Sequence, residues 1–259
     1  MNILVGEGIT KSFGGVTANK DITFHLEKGE ILGLIGPNGS GKTTLINIVA
    51  GNIKPDKGKI QFEGRDLTGL KSYHICHLGI TRTYQVVQPF AGMTVLETVA
   101  AGTMFGRNPQ GNMASAARKA KEVLELVHLQ DKTQELAEEL TVADLKKLEL
   151  AKALSGSPKV LLLDEVMAGL TPREIDEAMA LTLKIRKGGV TIFIVEHVMK
   201  AVMGISDRIM VLHQGSLMAT GTPQEITRNE KVIQAYLGEK FAQKKKKSKE
   251  GGSNATVRS

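Results

Sequence analysis

Short apolar runs bounded by polar or glycine positions alternate with stretches of helical periodicity along most of the chain. The runs at 30–35, 160–163 and 190–195 are rich in branched residues, as expected of strands that are buried on both faces. Helical spacing is found at 41–50 and 172–186. Strands and helices in alternation predict an α/β fold with a mostly parallel sheet.

The first and middle parts of the chain depart from this alternation. Residues 3–26 are strand-like and are expected to form an antiparallel β edge. Helical spacing at 94–102, 114–129 and 145–154, with no convincing strand between about 88 and 158, predicts a helical subdomain inserted into the α/β core. The expected organisation is a core of residues 1–84 and 158–238, a helical subdomain of 85–157 and a basic tail of 239–259.

Composition and charge exclude several classes of protein. Hydrophobic residues make up 41% of the chain and charged residues 24%, which argues against wholesale disorder. The net charge is +7, but residues 240–259 hold seven basic residues and one acidic residue, so the remaining body carries only +1. A near-neutral body offers no basic stripe for nucleic acid. The tail is interpreted as a flexible extension, with weak attraction to anionic lipid as the alternative.

A glycine-rich turn follows the first buried run and fits the pattern G-x-x-x-x-G-K-[ST]. Glycines let the backbone wrap around phosphate oxygens, and the following helix presents its positive end to the same anion. A glycine turn that matches by chance is the alternative, and the strand before it and helix after it favour nucleotide binding. The predicted nucleotide-binding residues are Gly36, Pro37, Asn38, Gly39, Ser40, Gly41, Lys42, Thr43 and Thr44.

Two adjacent carboxylates end the apolar run at 160–163. Buried strands seldom end in acids without a partner for the charge. Asp164 is expected to hold Mg²⁺ together with Thr43, and Glu165 to accept a proton from the water that attacks the nucleotide. The alternative is that the pair caps a helix or forms an acidic surface turn.

With these motifs, residues 1–238 resemble the ATP-binding subunit of an ABC transporter and are most similar to the ATPase subunits of branched-chain amino acid importers. The resemblance implies a P-loop NTPase (RecA-like) core. The segments that carry it, besides the glycine turn and the acidic pair, are Ala168-Gly169-Leu170-Thr171-Pro172, Glu196-His197-Val198-Met199, Gly204-Ile205-Ser206-Asp207-Arg208-Ile209, Gly221-Thr222-Pro223 and Ala235-Tyr236-Leu237-Gly238.

The resemblance assigns roles to three further residues. Phe13 is expected to stack on adenine, with an ordinary core phenylalanine as the alternative. Gln85, with Gln88 as a nearby rival, is expected to bind Mg²⁺ or the attacking water and to sense the transport partner. His197 is expected to hydrogen-bond the γ-phosphate, although a lone histidine is more often structural.

The sequence departs from the family in the segment that caps the ATP of the opposite subunit, where L-S-G-G-Q is usual. Here Thr141, Val142 and Ala143 stand between Leu140 and Asp144. Thr141 followed by Asp144 is a helix-capping pattern, so the N–H groups of the segment are expected to remain able to bind an anion. Two smaller departures are Val166 in place of a proline and Thr171 where an aspartate is frequent.

The resemblance implies an ATPase that uses MgATP and works as a homodimer or a heterodimer with a related subunit. The expected partners are two membrane permease subunits and, indirectly, a solute-binding protein, with the chain on the cytoplasmic face of the membrane. No apolar run approaches the roughly 20 residues of a membrane span, so contact with the membrane is expected through partners. An ATPase for lipid or lipopolysaccharide export, or a regulatory ATPase with a weakened capping segment, are the alternatives.

Overall fold

The computed structural model describes residues 1–84 and 90–235. It confirms the α/β fold, with ten strands and eight α-helices that lie wholly within the described ranges and a helical segment at 230–235. The strands are β1 (Asn2–Phe13), β2 (Val16–Glu27), β3 (Ile31–Ile35), β4 (Lys57–Phe62), β5 (Arg65–Asp66), β6 (Ile80–Arg82), β7 (Val160–Asp164), β8 (Thr191–Val195), β9 (Arg208–His213) and β10 (Ser216–Gly221). The helices are α1 (Lys42–Val49), α2 (Ser72–Leu78), α3 (Val95–Phe105), α4 (Met113–Leu126), α5 (Val142–Ser155), α6 (Pro172–Lys187), α7 (Met199–Ile205) and α8 (Pro223–Arg228).

A six-stranded sheet of order β10-β9-β3-β8-β7-β6 forms the centre of the fold. All five residues of β3, β7 and β8 are buried, because apolar layers cover both faces of this sheet. These three strands are parallel, and Val195 is the register partner of both Leu34 and Asp164. The segments that follow β3, β7 and β8 therefore leave the sheet side by side at one edge.

The antiparallel strands predicted near the start of the chain are β1 and β2. They belong to a second, four-stranded sheet of order β2-β1-β4-β5 rather than to the edge of the central sheet. Buried and exposed residues alternate along β2, as expected of a strand with one face on the core. Leu45 and Ile46 of α1 belong to the core shared by the second sheet and one face of the central sheet.

Helices α3, α4 and α5 account for the predicted helical stretches. Their N-caps Thr94, Asn112 and Thr141 each accept a hydrogen bond from a backbone N–H of the first turn. Between residues 90 and 158 the structure contains one isolated bridge, Thr94 with Leu136, and no strand. α5 begins three residues before the predicted start, because Thr141 caps it.

In residues 1–84 and 90–235, none of the helices combines the length and the apolar character that crossing a bilayer requires.

Candidate functional site

Two glycines of the loop between β3 and α1 allow its backbone to lie close to neighbouring carbonyl groups. A Cβ on Gly36 would lie 2.2 Å from the carbonyl oxygen of Leu212, and one on Gly41, whose φ is 100°, would lie 2.1 Å from that of Ala18. Gly39 has a φ of 76° and would meet nothing within 4 Å. The loop is thus closely packed against its surroundings at two glycines and open at the third, which leaves space for a ligand there.

Lys42, the first residue of α1, is buried inside this loop. Its ammonium donates to the carbonyl oxygens of Gly36 at 2.7 Å and Pro37 at 2.9 Å. The Oγ of Ser40 is buried and has no hydrogen-bond partner within the described chain. A buried cation beside an unpartnered hydroxyl and a helix N-terminus suits an anion with several oxygens, such as a polyphosphate.

Asp164 ends β7 as a buried carboxylate, and Arg82 at the end of β6 neutralises it. An Nη2–Oδ2 contact of 2.7 Å joins the two side chains, and Nη1 of the same arginine donates to Asn47 Oδ1 at 2.5 Å. Burial raises the pKa of Asp164, and the charge of Arg82 opposes that rise. The second oxygen of Asp164, Oδ1, is buried without a hydrogen-bond partner in the described residues.

The Mg²⁺ that the sequence predicts fits this arrangement only together with phosphate oxygens. Thr43 and Asp164 line one groove of about 970 Å³, and Oδ1 of Asp164 is a buried carboxylate oxygen without a hydrogen-bond partner among the described residues. In residues 1–84 and 90–235 no group of three or more histidine, cysteine, aspartate or glutamate side chains could hold a metal alone. Two protein oxygens completed by phosphate and water are a typical donor set for Mg²⁺.

Glu165 directly follows β7, and His197 lies two residues after the end of the adjacent strand β8. Their side chains are in contact. Nε2 of His197 lies 2.7 Å from Oε1 of Glu165. Glu165 has a φ of 52°, which an ordinary side chain rarely adopts, and its N–H donates to the carbonyl oxygen of Val195 at 2.9 Å. The side chain of Asp164 contacts Arg82 instead, so the two adjacent carboxylates have separate surroundings.

Phe13, at the end of β1, is 49% exposed, so the alternative of an ordinary core phenylalanine is wrong. Lys11 Nζ lies 5.5 Å from the centroid of its ring. An exposed ring next to a cation leaves a flat apolar face available to a base.

The segment Thr141–Ala143 lies at the start of α5, and Ala143 lines a different cavity from that of Thr43 and Asp164. Thr141 Oγ1 accepts the N–H of Asp144 at 3.2 Å and donates to Asp144 Oδ2 at 2.9 Å. Lys132 Nζ lies 2.9 Å from the same carboxylate, and Lys147 Nζ lies 3.7 Å from its other oxygen. Burial alone would raise the pKa of Asp144, but the contacts with Lys132, Thr141 and Lys147 outweigh burial, so its pKa is lowered.

Gln85 and its rival Gln88 lie outside the described residues, as does the predicted basic tail of 239–259. The remaining predicted residues of the glycine turn, Asn38 and Thr44, lie in the loop and in the first turn of α1.

Sequence reasoning missed three residues around the acidic pair. Arg82 neutralises Asp164, Glu196 accepts hydrogen bonds from the loops that carry Glu165 and His197, and Lys146 donates to the carbonyl oxygen of Ala168. One signal was available, since Arg82 is a charged residue at the end of the strand-like segment that precedes Gln85.

The geometry is that of a nucleotide-binding cassette, and comparison with known proteins agrees. Residues 19–168, more than half of the chain, match the family model described as ABC transporter. The chain belongs to the ABC transporter ATP-binding family, whose members bind nucleotide and hydrolyse ATP as subunits of transporter complexes. Two solved ATP-binding cassettes share the fold at 32% identity: a nucleotide-free one, with a TM-score of 0.82 over 91% of this chain and 99% of that chain, and one in its ADP conformation, with 0.83 over 92% and 99%.

Within the family, the similarity points to one branch. Residues 216–242 match a model described as branched-chain amino acid ATP-binding cassette transporter. LivG of Salmonella typhimurium, named a high-affinity branched-chain amino acid transport ATP-binding protein, is 40% identical over 250 residues, covering 92% of this chain and 98% of LivG. BraF of Pseudomonas aeruginosa, with the same description, is 37% identical over 250 residues with the same coverage.

Proposed function

We propose that this ATPase is the energising subunit of an importer for branched-chain amino acids or a similar small polar solute. The names of LivG and BraF and the match of residues 216–242 support the solute class. The observation that carries the chemistry is the placement of the loop at 36–43, Asp164 and the Glu165–His197 contact at the ends of three adjacent parallel strands. This edge of an open parallel sheet is where ligands of such folds bind.

In this proposal the loop holds the phosphates of ATP. Lys42 exchanges its contacts with the carbonyls of Gly36 and Pro37 for the terminal phosphates, and the backbone N–H groups bind the other oxygens. Thr43 and Asp164 Oδ1 would hold Mg²⁺, which neutralises phosphate charge when bound. Gln85 stays a predicted ligand of Mg²⁺ or of the attacking water, and Phe13 would stack on adenine.

Glu165 and His197 divide the hydrolysis step between them. Glu165 accepts the proton of the attacking water, and such a general base contributes about 10²–10⁴-fold in rate. His197 donates a hydrogen bond to the γ-phosphate, where it stabilises the developing charge. The imidazole is 39% exposed and contacts Glu165 at 2.7 Å, so it lies beside the base and has room to turn towards the nucleotide.

The working unit in this proposal is a dimer, either of two copies or of one copy and a related subunit. The loop at 36–43 of each subunit would face Thr141, Val142 and Ala143 of the other, with ATP between them. ATP adds contacts only in the closed dimer and so favours closure, and hydrolysis removes those contacts.

The groove beside the predicted helical subdomain is the proposed contact with the permease subunits. It is the groove that Thr43 and Asp164 also line. Beside helices α2, α3 and α5 it is lined by exposed Tyr73, Tyr84, Phe90 and Phe105, and this aromatic part is the proposed contact. Exposed aromatic side chains clustered in a groove favour a protein partner. Two permease subunits would bind here on the cytoplasmic face of the membrane, and a solute-binding protein would act through them.

Reconstitution of the chain with co-purified permease subunits and solute-binding protein in liposomes tests this function. Leucine-loaded binding protein should raise ATP hydrolysis and drive uptake of labelled leucine, while a basic amino acid serves as the control solute. Lys42→Ala should abolish ATP affinity by isothermal titration as well as uptake. Hydrolysis without leucine uptake would refute branched-chain amino acids as the solute, and normal ATP affinity of Lys42→Ala would refute the assignment of the loop.

A further inference from the structure

A fully buried carboxylate joins the two loops that carry Glu165 and His197. Glu196 immediately follows β8 and has no exposed surface. Its Oε1 accepts the backbone N–H of Met167 at 2.7 Å, and its Oε2 accepts that of His197 at 3.2 Å. A backbone hydrogen bond from Val198 also stabilises the ionised form. One side chain therefore bridges the loop after β7 and the loop after β8.

The hydrogen bonds of Glu196 lie next to a residue with an unusual backbone conformation. Glu165, two residues before Met167, has a φ of 52°. A residue in such a conformation is strained and persists only where its surroundings hold it firmly. The bond from Glu165 N–H to the Val195 carbonyl holds the loop on one side, and Glu196 holds it on the other through Met167.

The charge of Glu196 is compensated from a third element. Lys146 of α5 donates to the carbonyl oxygen of Ala168, in the same loop as Met167, and interacts electrostatically with Glu196 and Glu165. Burial raises the pKa of Glu196 and lowers the pKa of Lys146, and the attraction between them opposes both shifts. Amide donors and a nearby ammonium are what a buried carboxylate requires.

We propose that Glu196 is a positioning residue for ATP hydrolysis: by bridging the Met167 and His197 amides it holds the base Glu165 and the His197 imidazole in their mutual arrangement. The inference rests on the roles proposed above for Glu165 and His197. Glu196 does not touch the reacting atoms, so its removal acts on kcat through Glu165 and His197 and leaves the nucleotide-binding loop at 36–43 intact.

Glu196→Gln tests the bridge, because an amide has one acceptor atom where the carboxylate has two. Whichever way the amide turns, its NH₂ faces a backbone N–H and one contact is lost. A displacement of about 1 Å in an active site can cost about 10²-fold in rate. We expect kcat to fall by about that factor, with the KM for ATP changed by less than about 2-fold.

Glu30→Gln is the matched control. Glu30 is also a buried carboxylate; it accepts the N–H of Glu27 at 2.7 Å and pairs with Arg208 at 2.8 Å, among residues that take no part in the proposed chemistry. The Glu30→Gln substitution should lower the free energy of unfolding and leave kcat unchanged. Equal kcat values for Glu196→Gln and Glu30→Gln would overturn the proposal.

A double-mutant cycle separates positioning from general damage. If Glu196 acts through Glu165 and His197, then Glu196→Gln should change the single-turnover rate of the double variant Glu165→Gln/His197→Ala by no more than about 2-fold, because coupled residues are not additive. An additive loss would overturn the proposal, whereas absence of ATP hydrolysis in the parent protein would overturn the proposed function instead. Amide hydrogen exchange of the unaltered chain gives a test free of variants: Met167 and His197 should both be protected, and fast exchange at either would refute the bridge.

Discussion

Replacing Arg82 by methionine should strongly destabilise the nucleotide-free protein. The contact between Arg82 and Asp164 is 2.7 Å long, and the two side chains are 8% and 2% exposed. Methionine keeps the apolar length of the arginine and removes its charge. Asp164 would then be a buried carboxylate with one oxygen already unpartnered and the other newly so.

The expected loss is about 3–5 kcal/mol, the range for removing one partner of a buried ion pair. For a domain of this size each kcal/mol lowers the melting temperature by about 2–4 °C, so a fall of roughly 6–20 °C is expected. Arg173→Met is the matched control, since Arg173 pairs with Glu177 at 3.1 Å on the surface, where the side chains are 89% and 54% exposed. An exposed pair contributes at most about 1 kcal/mol.

The loss should also depend on pH. Burial already raises the pKa of Asp164, and removing Arg82 takes away the charge that opposes the rise. A carboxyl whose folded pKa exceeds its unfolded pKa favours folding below the unfolded pKa, and this contribution is lost as pH rises through the folded pKa. The destabilisation of Arg82→Met relative to the parent should therefore be larger at pH 8 than at pH 5.

Urea unfolding without nucleotide, followed by circular dichroism at both pH values, measures these effects. Asp164→Asn in the Arg82→Met background should recover part of the loss and remove most of its pH dependence, because the unpaired charge is gone. The reasoning fails if Arg82→Met costs no more than Arg173→Met. It also fails if the double variant is no more stable at pH 8 than the single one.

Three further predictions concern the nucleotide. Glu165→Gln should bind ATP normally and release phosphate about 10²–10⁴-fold more slowly, and an unchanged steady-state rate would exclude Glu165 as the base. Thr141→Ala removes a helix cap of about 1 kcal/mol and should weaken ATP-induced dimerisation in sedimentation, whereas an unchanged dimer would exclude this segment. Phe13→Ala should lower ATP affinity by about 1–3 kcal/mol in calorimetry but leave that of tripolyphosphate unchanged; an equal loss for both would argue against stacking.

The central strands and the glycine turn could be predicted because their signals are local. Short apolar runs in the sequence predict β3, β7 and β8, whose residues are all buried in the structure. The spacing of glycines in the turn after β3 predicts the nucleotide-binding loop in the same direct way. The capping pattern of Thr141 and Asp144 is also local, and the structure contains it at the start of α5.

The contacts around the acidic pair could not be predicted in the same way. Arg82 and Asp164 are 82 positions apart, and the Glu196–Met167 bond spans 29 positions. Which charged residues meet depends on the order of strands in the sheet, where β6 lies beside β7 and β7 beside β8. Periodicity does not determine that order, so the sequence indicates that Asp164 needs a partner without identifying Arg82.

The unusual capping segment is compatible with anion binding because the charge of its acid, Asp144 in the first turn of α5, is compensated by neighbouring side chains. Asp144 accepts hydrogen bonds from Thr141 and Lys132 and lies close to Lys147, so two ammonium groups balance one carboxylate. The hydroxyl proton of Thr141 is committed to Asp144 in this arrangement, which leaves the backbone N–H groups of Val142 and Ala143 as the donors that a phosphate could use. These N–H groups belong to a helix of 14 residues, and donors of this kind do not require the glycines that the family usually has here.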